Sequence, residues 1–513
     1  MFLLYLIVLL ISIQTKKMKV ASSFLFDLVH SLSKSEKRYI KVQQKKGEKD
    51  YLKLMDAILL EPYFDENLFI LKQKGANFLK NLAVNKRYLY ELVLQALDKF
   101  GEKSSENQVF EIYSACLVLI DKGLFKAAYK ELNKGILLAE KYELFELQIM
   151  LLSLEKRMQS SQANKENANR PNSEKIYLKE KYCLEQLANT NEYWYINNQL
   201  SQYQVQFQKI QTAEQNELIQ SIVKSPKFNQ ERLASNYKSR LFYYQANSTY
   251  YFMKGEANKA HENNKQFLDF LESKPQFLKL YAERYLATLN NLLIDSFILG
   301  KEDVLKEGLD RLENLLNRSE FKTIKNLASR VFRQKYLLLL NWSIRQGAFN
   351  EALAWIPTIE NGLEAFGKTI EKHHRITFYY LSAYILFITE KYDEALKWNN
   401  KIMNDPKEDV VKEIFYFSRV LHVLIHFELS NYDLMDSLLL STPKYLKSRR
   451  ELYKSEKSLF SLLKKIRNSV SESDKQVHYM NFNAELDKLQ KDPKENRAFS
   501  FIDLKLWVSS RLK

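Results

Sequence analysis

Residues 362–369 read GLEAFGKT, the G-x-x-x-x-G-K-T spacing of a phosphate loop. In such a loop backbone amides cradle phosphates, the Lys reaches the terminal phosphates and the Thr holds magnesium. That chemistry needs a buried strand entering the loop. Here EALAWIPTIEN precedes it, with apolar residues at helical spacing. Leu363–Phe366 therefore reads as the last turn of a helix, with Gly367 as its cap. His422 and His426 lie four apart in VLHVLIHFEL and share a helix face, a spacing at which two imidazoles can bind zinc. The glutamate that a zinc protease places beside its first histidine is absent, because Val423 stands there. Both read as packing or groove-lining residues. His373 and His374 open a helix and are expected to be solvated. Cys116 and Cys183 sit among apolar residues, as small buried side chains do. No nucleophile–base pair, carboxylate pair or ligand-spaced metal set stands out. We expect no catalytic residue, no metal and no cofactor: the chain does not read as an enzyme.

A nucleic-acid reading attaches to NFLKNLAVNKRYLYELVLQAL, residues 77–97. As a helix-turn-helix, Ala83 and Val84 would form the turn and Asn85 the cap. The recognition helix would run from Lys86 to Leu97, with Lys86, Arg87 and Tyr90 near its start to meet DNA.

The elements that must position these groups are helical. Of 513 residues only 11 are Gly and 8 are Pro. Hairpin turns and phosphate loops draw on both, and sheets need them at their turns. In YLKLMDAILL, Leu52, Leu54, Met55, Ile58 and Leu59 make one apolar face, and NKRYLYELVLQALDKF makes another. Ser33 and Glu36 have capping-box spacing, which predicts a helix from about Lys34 to about Gln44. The polar stretch 158–175 reads as a loop, and a second polar stretch, 471–481, precedes the final helices. The net charge is +16 and concentrated. Residues 1–50 hold ten Lys or Arg against four Asp or Glu, and residues 441–470 hold nine against two. Such clusters suit a solvated basic face or an anionic partner.

One short pattern recurs: a turn residue, a spacer, an aromatic, two spacers, a small residue. It reads GLFKAA at 123–128, GEANKA at 255–260, GAFNEA at 347–352 and EKYDEA at 390–395, with looser copies at 300–305 and 430–435. Gly ends one helix in a left-handed cap, the aromatic wedges at the turn, and Ala lets the second helix approach. Small residues Cys116, Ser248 and Ala383 recur twelve positions before Ala128, Ala260 and Ala395. NEYWYI at 191–196 reads as a further turn.

This pattern resembles the tetratricopeptide repeat family, over roughly 109–142 and 241–442. The resemblance implies an all-α fold, an irregular right-handed α-solenoid of helical hairpins. Turns at 255, 300, 347, 390 and 430 are spaced more widely than the roughly 34 residues of a standard repeat. It also implies a groove on the first helices. By position in the repeat that groove holds Tyr244, Asn247, Tyr251, Tyr336, Ser343, Tyr379, Ser382, Arg419, His422 and His426. The start SSFLFDLVHSLSKSEKRYIKV is similar to that of uncharacterised bacterial proteins of this type, which implies a cytoplasmic bacterial setting.

The expected organisation follows. Residues 1–17 are a hydrophobic extension whose apolar run, Phe2–Ile13, is shorter than the roughly 20 residues of a spanning helix. They read as an upstream extension from a mis-assigned start; the alternatives are a short membrane-associating anchor and a helix packed on the end of the solenoid. An N-terminal helical segment covers 18–157, the polar loop 158–175, the repeat array 176–442 and basic capping helices 443–513. In the capping part Phe501, Leu504, Leu506, Trp507 and Leu512 form the apolar face. The expected function is a non-enzymatic scaffold that binds a protein or peptide along its groove. The alternative is a transcription regulator that binds DNA through Lys86, Arg87 and Tyr90.

Overall fold

The computed structural model describes residues 23–43, 49–100, 104–160, 173–405 and 411–512. Among them every regular element is helical: 26 α-helices, a few short 3-10 turns and no strand. The chain divides into two compact units, 1–188 and 189–513. The division falls within one long helix, not at the polar stretch 158–175 or at residue 443. The hydrophobic extension 1–17, and residues 161–172 of the polar stretch, lie outside the described residues.

The first unit begins with α1 (Phe24–Ser31), α2 (Lys34–Gln43), α3 (Asp50–Leu60), α4 (Glu66–Lys72) and α5 (Leu82–Lys99). Ser33 and Glu36 form the expected box: the Glu36 amide donates to Ser33 Oγ at 3.2 Å, and the Ser33 amide to Glu36 Oε2 at 2.6 Å. Leu54 and Met55 of α3 meet Leu89 and Val93 of α5 in the core, all fully buried. Each such side chain contributes about 1.5–3 kcal/mol of burial. Next come α6 (Ser105–Asp121), α7 (Phe125–Lys141), α8 (Phe145–Ser160) and the start of α9 (Ser173–Phe207). Successive helices from α6 to α8 pack side by side around Cys116, Ala128, Leu132 and Leu151.

The second unit holds the rest of α9, then α10 (Ala213–Val223), α11 (Pro226–Asn229), α12 (Tyr237–Lys254), α13 (Ala257–Ser273), α14 (Pro275–Leu278), α15 (Ala282–Leu299) and α16 (Glu302–Asn314). It continues with α17 (Leu327–Gln346), α18 (Phe349–Phe366), α19 (Lys372–Ile388), α20 (Tyr392–Met403), α21 (Lys412–Glu428) and α22 (Tyr432–Lys447). It ends with α23 (Lys454–Asn468), α24 (Glu472–Leu489), α25 (Asn496–Phe501) and α26 (Leu504–Ser510). Pairs α12–α13, α15–α16, α17–α18, α19–α20 and α21–α22 are hairpins. The first helices α15, α17, α19 and α21 also pack on one another in sequence.

The hairpin turns share one geometry. Among the described residues Gly123, Glu143, Gly255, Gly300, Gly347, Glu390 and Ser430 stand at φ between 52° and 74°. In each, the next amide donates to a carbonyl five residues back. The distance is 2.9 Å at Leu124, Leu144, Lys301, Ala348 and Lys391, and 3.0 Å at Glu256 and Asn431. This is the Schellman closure of a helix end, which satisfies its orphan carbonyls. Six of these turns lie where the repeat places them; the seventh, Glu143, follows the same backbone without the small residue.

Three local expectations are corrected. NEYWYI lies inside α9 and makes no turn; it holds no Gly or Pro to end the helix. Residues 158–160 and 173–175 of the expected loop are helical, the last turn of α8 and the first of α9. His374 is only about a quarter exposed, and burial lowers its pKa to about 4, helped by Arg333 and His373. GLEAFGKT is the end of α18, with Gly367 at its C-cap. A Cβ on Gly362 would stand 2.2 Å from the Phe332 ring, so this glycine serves the close approach of α17.

The C-terminal helices fold back on α19 and α21. The Tyr380 hydroxyl donates to the Phe501 carbonyl at 3.0 Å, and the Asp503 amide to Tyr384 Oη at 3.2 Å. Trp507 Nε1 donates to Glu428 Oε1 at 2.6 Å, and Arg511 pairs with Glu428 at 2.5 Å. Leu504, Trp507 and Val508 are buried in the same core as α19 and α21, while Leu506 stays partly exposed. The apolar stretch Phe501–Leu512 is interrupted at Ile502 and Asp503, which separate α25 from α26. Asp503 starts the last helix by accepting from the amides of Lys505 and Leu506, both at 3.0 Å.

Candidate functional site: a polar cleft between α12, α13 and α15

Helix α15 is apolar on most of its circumference, yet Arg284, Thr288, Asn291 and Asp295 follow one another at i, i+4, i+7 and i+11. At 3.6 residues per turn these positions share one face. That face borders a cleft of about 320 Å³. Gln245, Ser248, Thr249 and Phe252 of α12 form the facing wall, Ala260, Asn264 and Phe267 of α13 the third, and Gln204 of α9 closes it. Helices α12 and α15 each pack closely on α13, which leaves the cleft open between them.

A buried relay crosses its floor. Ser248 Oγ donates to Asn264 Oδ1 at 2.9 Å, and Asn264 Nδ2 donates to Asp295 Oδ2 at 2.7 Å. Asp295 is 7% exposed. Burial pushes its pKa up to about 6, and the Asn264 hydrogen bond only partly offsets this. At the other end of the stripe the Arg284 side chain has no hydrogen-bond or ion-pair partner among the described residues, and burial alone pulls its pKa down. Gln245 Oε1 is buried in the facing wall without a hydrogen-bond partner among the described residues. Burying an uncompensated charge costs several kcal/mol, so proteins normally pair it. This cleft holds two opposite charges, buried Asp295 and partly buried Arg284, neither of them paired with a counter-charge among the described residues.

Of the residues expected in a groove, His422 and His426 are brought together, their ring centroids 4.4 Å apart. Tyr244 is buried and stacks on Phe267 at 5.4 Å. Asn247 is buried and donates to the carbonyls of Tyr243 at 3.0 Å and Phe228 at 3.3 Å. Tyr251, half-buried, lies against Tyr250 at 5.4 Å. Tyr336 packs on Phe332 at 4.9 Å, and Tyr379 on Trp398 at 5.9 Å. Ser343 and Ser382 are buried between helices. Arg419 lies over the Tyr445 ring at 3.7 Å. His422 takes a contact from Asn399 at 3.4 Å, and buried His426 one from Asn431 at 2.8 Å. Burial lowers both imidazole pKa values, that of His422 to about 4 with help from His426 and Arg419. Tyr244, Asn247, Ser343, Ser382 and His426 therefore serve packing between helices, not an open surface. No family model, curated protein or solved structure matches the chain. The cleft is thus read from its own chemistry.

The DNA-facing arrangement is also corrected. Ala83 and Val84 lie inside α5, which runs unbroken from Leu82, and the residues before it form a 3-10 turn, Asn77–Asn81. Asn85 does not cap; its Nδ2 donates to the Phe78 carbonyl at 3.0 Å. Lys86 pairs with Glu66, and Arg87 with Glu91 at 2.8 Å, while Tyr90 is exposed. Neither cysteine joins a site: Cys116 Sγ faces the Ala128 carbonyl at 3.6 Å, and Cys183 Sγ faces Gln148 Oε1 at 3.2 Å.

Sequence reasoning missed Arg284, Asn291 and Asp295. The signal was present: a polar stripe at helical spacing in AERYLATLNNLLIDSFIL, a first helix of the repeat. On α12, Gln245 and Ser248 border the cleft, while Tyr244 and Asn247 face inward.

Proposed function

We propose that this protein is a non-enzymatic binding module, a solenoid of tetratricopeptide-like hairpins that binds a protein or peptide. The observation that supports this reading is the polar cleft with its unpaired Arg284. A guanidinium without a counter-charge beside buried amides is poised to accept a carboxylate. The amides of Gln204, Gln245, Asn264 and Asn291 match the donors and acceptors of an extended backbone. The successive packing of first helices α15, α17, α19 and α21 is what such an array requires. A test is capture of peptide-bearing material from host extract by the full chain and by a double variant, Arg284→Gln with Asp295→Asn. The wild type should retain a specific fraction that protects α12 and α15 from hydrogen exchange. Equal retention by the double variant would sink the reading.

A further inference from the structure

Arg284 and Asp295 stand eleven residues apart on one face of α15, which is about 16 Å along the axis. Each lies in the same cleft without a charged partner among the described residues. A ligand that supplied only an anion would leave Asp295 uncompensated, and one that supplied only a cation would leave Arg284 so. Between them the lining offers amides and a hydroxyl, suited to a peptide backbone. An extended chain advances about 3.3–3.6 Å per residue. Because both side chains reach toward the ligand, three to five residues fill the interval. The two charges could come from the termini of a free oligopeptide, or from acidic and basic side chains within a longer segment. A cleft of about 320 Å³ has room for a short backbone but not for much flanking chain.

We propose that the cleft binds a free oligopeptide of three to five residues as a zwitterion, its α-carboxylate on Arg284 and its α-ammonium on Asp295. This rests on the reading of the array as a peptide-binding module.

The test uses the purified full chain and pooled peptides of two to eight residues, with retention read by mass spectrometry. Four pools are compared: free termini, N-acetylated, C-amidated, and doubly capped with internal Glu and Lys three to five positions apart. The free pool should be retained with an optimum at three to five residues, and either cap should lower retention tenfold or more. Arg284→Gln should erase the effect of the C-terminal cap, and Asp295→Asn that of the N-terminal cap. Melting curves of both variants establish that they fold. Retention of the doubly capped pool in preference to the free one overturns the free-oligopeptide proposal while leaving the binding module intact. Retention of no pool at any length overturns both.

Discussion

A carboxylate held at a pKa of about 6 works against the fold at neutral pH. The folded pKa of Asp295 lies above its unfolded value of about 3.9. Its environment therefore favours the protonated form, and the associated stability, complete below about pH 4, is lost as pH rises through 6. The loss is on the order of 3 kcal/mol. Asp295→Asn should raise the melting temperature of the unliganded protein by several degrees at pH 7.5 and leave it unchanged at pH 4. A gain of equal size at both pH values would contradict this assignment. The groups that face Asp295 are uncharged, Asn264 from α13 and Ser248 and Thr249 from α12, so no neighbouring titration masks the effect. His422 has the opposite sign. Burial depresses its folded pKa to about 4, so the stability it confers is present above about 6.5 and lost as pH falls. His422→Gln should flatten the decline of melting temperature between pH 6.5 and 4.5, and an unchanged slope would show that His422 does not titrate in this way.

At the scale of elements, the left-handed turn residue is the repeated device. At Gly347 a Cβ meets nothing within 4 Å, so Gly347→Ala tests the backbone alone. It should cost about 1–2 kcal/mol in chemical denaturation. Glu390→Gly, at φ 62°, should gain a few tenths of that instead. A loss of stability there would mean that the Glu390 side chain contributes more than its backbone strain removes. A second device joins distant segments. Buried Glu495 accepts from the amides of Lys454 at 2.8 Å and Ser455 at 3.0 Å, and from Ser455 Oγ at 2.7 Å. It thereby satisfies the start of α23 from 40 residues away. Glu495→Ala should cost about 2–3 kcal/mol, because buried amides lose a charged acceptor. A change below about 0.5 kcal/mol would mean that water replaces the carboxylate. The turns were legible because Gly, an aromatic and Ala stand at fixed offsets. The turn at Glu143 was not, because Gln148 occupies the small-residue place. There Gln148 Nε2 donates to the Ala139 carbonyl at 3.1 Å, so a polar contact replaces a close approach.

For the second unit as a whole, residues 496–512 complete the core. Without them Tyr380, Tyr384 and Phe417 lose their cover, and Glu428 loses both Trp507 and Arg511. Truncation after residue 495 should therefore reduce amide protection across α19 and α21 in hydrogen exchange. Undiminished protection there would show that the C-terminal helices are an appendage. The basic excess of residues 441–470 is partly spent inside this unit, as Arg450 makes a bidentate pair with buried Glu456 at 2.6 and 2.9 Å and Lys454 pairs with Asp492. Among the described residues no helix is long and apolar enough to cross a membrane.

The sequence by itself determined the helical class, the hairpin turns, the cap at Ser33 and the helix end at Gly367. Each depends on residues within a few positions of one another, where backbone sterics and 3.6-residue periodicity act directly. Only the tertiary structure decided which polar residues face a common space. Whether Tyr244 or Gln245 borders the cleft turns on about 100° of helix rotation, and that is set by how α12 and α15 rest on α13. The same holds for the C-terminal helices, whose partners lie some 120 residues earlier in the chain. The burial of Asp295, the partial burial of Arg284 and the lack of a counter-charge at either among the described residues are properties of that packing, which spacing along the chain does not encode.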